Sequence, residues 1–166
     1  FYLQTLIGMS LQESQKDNLV PNKPALDIFS EVLSLIATAR AERLQRSYKC
    51  IEYAEKAVSL ALANQLTFQA AEAKVEIANY YTNVLRDYNA ALHHALEAHV
   101  LLGNEYQPFL SANIFKLVGV CYHWTGNFTN AVSNYLQAAK ILEIEIPKTR
   151  EELLLAGSLH YNIILI

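Results

Sequence analysis

Five histidines, two cysteines and several paired acids are the side chains of this sequence with types and spacing that invite chemistry. A metal centre needs three or four such ligands converging on one point. Acid–base or nucleophilic catalysis needs a matched pair within hydrogen-bond reach. His93 and His99 are six residues apart, nearly opposite on a helix, so they cannot share a metal. His94 has no ligand partner at helical spacing, His160 stands alone, and Cys121 and His123 are two apart and point differently. Cys50 and Cys121 belong to no metal or redox motif and read as small buried apolar residues. Glu42, Glu52 and Glu55 with Arg46, Lys49 and Lys56 make i,i+3 or i,i+4 pairs typical of solvated helix faces. Glu151 and Glu152 fall at a helix start, where negative charge complements the helix dipole. There is no Gly-rich phosphate loop and no His-Glu-x-x-His. The sequence therefore predicts a non-enzymatic protein without catalytic residues, metal or cofactor.

The elements that carry these residues follow from composition and periodicity. The chain has 166 residues, the size of one domain. Apolar residues make up 52% and charged residues 17%, which excludes a disordered chain. Thirteen basic against sixteen acidic residues leave a net charge of −3, which argues against nucleic acid as the main partner. Five Gly and four Pro are too few for a many-turned β domain. No run approaches about 18 apolar residues, and Val32 to Ala39 is broken by Ser34 and Thr38, so no membrane span is predicted. Unpaired cysteines point to a reducing, cytoplasmic setting. The chain does not begin with Met and ends on the bare apolar run Ile163 to Ile166, as expected of a piece of a longer protein.

A repeat organises the chain. At an offset of 40, Ala91 falls on Ala131, Leu96 on Leu136, Ala98 on Ala138 and Leu102 on Leu142. Asp87-Tyr88 and Asn127-Phe128 mark the same short turn. With small slips the repeat runs on to Pro147 and Tyr161, and back to Cys50, Ala54 and Ala57. Each unit reads as two helices with apolar positions three and four apart. Breakers between them place helices near 2–14, 24–43, 47–63, 66–85, 88–102, 108–124, 128–144 and 149–166. The expected division is a single domain: an N-terminal helix and linker at 1–22, repeats at 24–64, 66–104 and 108–145, and the first helix of a further unit at 149–166.

Phe115, Val118, Gly119, Tyr122, Gly126, Phe128, Ala131, Tyr135 and Ala138 resemble the tetratricopeptide repeat (TPR), whose units pair two antiparallel helices. Val75, Ala78, Tyr88, Ala91, Ala95 and Ala98 repeat the pattern in part, with Asn79 and Thr82 departing from it. The ~40-residue spacing is longer than the common form of about 34. The resemblance implies an all-α, right-handed superhelical solenoid with a concave groove lined by the first helix of each unit. Carried over position by position, it puts Glu76, Tyr80, Asn83, Asn113, Lys116, Val120, His123, Trp124, Leu155, Leu159, Asn162 and Ile163 on that groove, with Leu35, Ala39, Glu42 and Arg43 in the first unit. Asn83, His123 and Asn162 would stack as a ladder for an extended peptide backbone. Trp124 is expected at the groove mouth or, more commonly for a tryptophan, in the core. The type of repeat that clamps a terminal carboxylate with Lys and Asn is not matched, because Lys116 is alone and Glu42 and Glu76 would repel the charge.

The implied function is a scaffold that binds a peptide or helix of a partner protein, as the regulatory part of a larger protein on the pattern of bacterial signalling proteins. The alternative is a ligand-sensing domain whose superhelix changes shape on binding a signalling peptide or small molecule. Neither nucleic acid nor membrane is an expected partner. The last helix should leave Leu154, Leu155, Leu159 and Ile163 uncovered and drive homodimerisation through 149–166.

Overall fold

The computed structural model describes residues 25–164, and the expected helix at 2–14 lies outside them. The described residues form seven α-helices and no strand: α1 (Ala25–Leu44), α2 (Lys49–Ala63), α3 (Thr67–Tyr80), α4 (Tyr88–Leu102), α5 (Pro108–Trp124), α6 (Phe128–Ile144) and α7 (Arg150–Ile164). Each begins or ends within a few residues of a breaker in the sequence. Pro108 opens α5 at its first turn, where a missing N–H costs nothing. Asp87 and Asn127, one repeat apart, cap α4 and α6 by accepting from the backbone N–H of Ala90 and Asn130. Thr149 and Glu152 form a reciprocal capping box at the start of α7.

The ends of α1, α2 and α5 share one device. Arg46, Gln65 and Gly126 adopt left-handed φ of 58°, 59° and 82°. The two backbone N–H groups around each bond back to the last helical turn, as in Ser47 to Glu42 and Asn127 to Tyr122. Of the three only Gly126 announces itself in the sequence. The end of α3 differs, because a π-helical turn over Tyr81–Leu85 follows it and closes on Arg86, also left-handed. Periodicity predicts one continuous helix over 66–85 and does not resolve this widened turn.

Consecutive helices pack antiparallel as α1/α2, α3/α4 and α5/α6, and each pair docks on the next. The odd-numbered helices also touch one another in order, α1 to α3 to α5 to α7, and so form a layer of their own. The core follows this stacking. Val32, Ile36, Ala57 and Ala61 meet Ala70 and Ala73 across three helices. Val75, Ala78, Ala95, Ala98, Ile114 and Leu117 repeat the arrangement one unit on, and Ala112, Ala131, Tyr135, Ala138, Leu155 and Leu159 repeat it again. No pair buries its apolar face alone, and the neighbouring unit completes it.

Alanines at the crossings are fully buried, among them Ala54, Ala57, Ala78, Ala91, Ala98, Ala131 and Ala138. Cys50 and Cys121 are likewise buried and unpaired, and burial pushes both thiols up to about 11, which leaves them unreactive. The expected bare stripe on the last helix is corrected in part. Leu155 and Leu159 are buried against α5 and α6, because α7 docks as the first helix of a pair would. Leu153, Leu154 and Ile163 face outward.

Gly119 has no room for a side chain: a Cβ there would lie 2.6 Å from the ring of Tyr135, itself buried. Gly119→Ala is expected to destabilise the fold by about 1–3 kcal/mol, as is Ala98→Leu, through overpacking at the crossings. Urea unfolding checks this, with unchanged midpoints counting against the close-approach account.

Candidate functional site

The layer of odd-numbered helices carries a trough, and its floor is set by an ion cluster. Glu76 on α3 is buried, with only 4% exposed. Its two carboxylate oxygens accept from Nε of Arg40 and Nε of Arg43 on α1, each at 2.8 Å. A carboxylate taken out of water needs such partners, and two are present. The cluster holds α1 against α3 and neutralises Glu76. The expectation that Glu76 repels an anionic ligand is therefore corrected.

Three cavities run into one another along the trough. The first, of about 320 Å³, lies between α1, α3 and the starts of α5 and α7, and is lined by Arg40, Glu72, Glu76, Asn113, Glu151 and Glu152 among others. The second, of about 570 Å³, shares those residues and adds Arg43, Asn79, Asn83, Lys116 and Ser158. The third, of about 390 Å³, takes up Asn79, Asn83, Lys116 and Ser158 and ends on Arg86, Tyr88, Trp124, Tyr161 and Asn162. The trough thus carries four asparagines, which offer donors and acceptors together to a main chain.

Lys116 sits where the second and third cavities meet. No hydrogen bond or ion pair to it occurs among the described residues. Burial, with a smaller contribution from the Arg43 charge, pushes its ammonium down to about 8. Burial also raises the carboxyl of Glu72, partly offset by Arg40. At the far end Trp124 is 62% exposed and stacks flat on Tyr88, with ring centroids 5.6 Å apart and planes 6° from parallel.

The structure distributes the residues expected on the groove unevenly. Glu76, Asn83, Asn113, Lys116, Trp124 and Asn162 line the trough, as do Arg43, Val120 and Leu155. Tyr80 does not: it is buried beside Ala39, Cys50 and Ile51, and its hydroxyl reaches the Arg46 carbonyl at 3.4 Å. Ala39 belongs to the same core, and Leu35 lines a separate hollow between α1 and α2. His123 turns aside, its ring edge-on to Phe128 and Trp124. The three-rung ladder is therefore corrected, since Asn83 and Asn162 share a cavity that His123 does not line. Trp124 is at the mouth and not in the core: one face of its ring lies on Tyr88 at the start of α4, and the residue is largely exposed.

Sequence reasoning passed over Asn79, Arg40 and Arg86. Asn79 lies one helical turn before Asn83, a spacing that could have found it. The reach of Arg86 depends on the π-helical turn and left no mark in the sequence. The remaining histidines form no catalytic set. Glu97 binds the Lys74 ammonium at 2.7 Å, with His93 and His94 at 3.5 and 3.3 Å, and this ties α4 to α3. No group of three or more His, Cys, Asp or Glu is placed to hold a metal among the described residues.

No protein-family model matches the sequence, and no curated protein is significantly similar to it. The solved structures include a similar fold, the crystal structure of a TPR-like protein from Chlorobium tepidum TLS. It superposes with a TM-score of 0.66 over 84% of this chain and 96% of that one, at 13% sequence identity. The fold is thus TPR-like. No helix among the described residues is long and apolar enough to cross a membrane.

The Lys116 ammonium falls from its ordinary 10.5 to about 8 in the folded chain. A cation held below its unfolded value costs stability in full below pH 8, and the cost fades as pH rises from 8 to 10.5. Lys116→Met is therefore expected to raise the melting temperature at pH 7, by an amount equivalent to about 1–3 kcal/mol. The gain should shrink as pH approaches 10.5. A gain that is flat with pH would mean that the ammonium is not the source.

Proposed function

We propose that the chain is a non-enzymatic interaction scaffold that binds an extended segment of a partner protein along the trough of α1, α3, α5 and α7. The observation that carries this reading is the continuity of the trough. Asn79, Asn83, Asn113 and Asn162 from three helices face one channel, and each offers main-chain groups a donor and an acceptor. Such contacts grip a peptide backbone whatever its side chains, and the surrounding charges and the Trp124 shelf then select among sequences. A role as the regulatory part of a larger signalling protein fits a module that binds without reacting. A cytoplasmic setting fits two buried thiols left unpaired.

Display of a random peptide library against the chain, followed by re-testing of the binders on the triple variant Asn79→Ala, Asn83→Ala, Asn113→Ala, tests the reading. Loss of three hydrogen bonds at about 1 kcal/mol each is expected to weaken binding on the order of a hundredfold. Unchanged affinity in a variant that melts like the parent would move the interface off the trough and end the reading.

The outward Leu153, Leu154 and Ile163 of α7 also support self-association through that helix. Light scattering is expected to show a dimer that Leu153→Ser with Leu154→Ser dissociates. A monomer at every concentration removes it.

A further inference from the structure

The charges along the trough are not mixed evenly. The cavity at its far end is lined by Lys116 and Arg86 and by no acid at all. Asp87, the nearest acid in sequence to Arg86, is committed to the cap of α4. The cavity at the opposite end is lined by Glu72, Glu76, Glu151 and Glu152 against a single base, Arg40. Arg40 and Arg43 offset Glu76, and Glu72, Glu151 and the capping Glu152 carry the negative field there. In a chain of net charge −3, a cavity with two cations and no anion stands out.

A second observation points the same way. Lys116 is held in a site that burial makes unfavourable for a charge, without an acid to offset it. A ligand anion there would restore the ion pair that the fold omits. Beside it, Trp124 presents a large open ring, braced from behind by Tyr88. Stacked aromatic faces of this kind hold a further ring or a planar side chain.

We propose that the trough takes its peptide in one direction only, with an acidic group on Lys116 and Arg86, an adjoining aromatic side chain on Trp124, and a basic group at Glu72 and Glu151. The proposal rests on the trough being the peptide site and adds the chemistry of the peptide. The carboxylate end is drawn to the basic cavity and the ammonium end to the acidic one. A peptide laid the other way along the trough meets like charge at both ends, which penalises that orientation.

The test uses two short peptides with blocked ends, Lys-Ala-Ala-Ala-Phe-Asp and its reversal Asp-Phe-Ala-Ala-Ala-Lys, and the analogue of each with Asn for Asp and Gln for Lys. Trp124 is the only tryptophan of the chain, so its fluorescence reports occupancy of that end directly. Calorimetry supplies the affinities. Each charged peptide is expected to bind at least tenfold more tightly than its own uncharged analogue, turning end for end as its sequence requires, with a change in Trp124 emission. Lys116→Met should abolish that preference, and Lys116→Arg should restore it. Equal binding of all four peptides, or a preference that survives Lys116→Met, would overturn the proposal while the trough reading stands on the amide variant. No binding by any of the four also overturns it, and the library experiment then decides the trough reading separately.

Discussion

Where α5 crosses α6, the bare backbone of Gly119 lies against the ring of Tyr135 with no space for a methyl group. The same close approach recurs at Ala57 and Ala61, at Ala78 and Ala98, and at Ala131 and Ala138, all sealed from solvent. This closeness is what the rest of the structure depends on. Dispersion and apolar burial at such crossings fall away steeply with separation, so small residues there bring two helices into one layer of contact. With the paired helices held close, the odd-numbered helices come side by side and share one face. That face is the trough, and it rests on alanines buried at the crossings.

The electrostatics of the trough follow from the same layering. Because α1 and α3 lie side by side, Arg40 and Arg43 reach Glu76, and an acid on the trough floor is balanced from within. α5, one helix further on, brings Lys116 to a place with no acid to meet it. The end of α3 widens into a π-helical turn, and the chain swings Arg86 and Tyr88 to the same end as Trp124. Insertions of this kind cost helix geometry and recur at functional sites. The basic, aromatic end and the acidic end of the trough are thus products of which helix neighbours which.

Much of this was open to a reader of the sequence. The offset of 40 between Ala91-Leu96-Ala98 and Ala131-Leu136-Ala138 fixed the helix pairs, because small residues at helical spacing report a close crossing. Breakers and caps such as Asp87, Asn127 and Pro108 placed the helix ends, since each acts through its own backbone and needs no partner from afar. Nine of the sixteen residues expected on the groove line the trough. The failures share one cause. Tyr80 and His123 occupy the right helices but the wrong rotation about them, and a turn of one position decides between trough and core.

Sequence by itself determined the helices and their pairing, because these depend on local periodicity and residue type. Only the tertiary structure decided which charges are spent and which remain. Glu76 looks like a ligand-facing acid until Arg40 and Arg43 are seen on it. Lys116 looks like an ordinary surface lysine until its neighbours are known. Trp124 could be core until its ring is seen exposed beside Tyr88. An ionisable or aromatic side chain takes its role from what surrounds it, and those surroundings come from helices far apart in the chain.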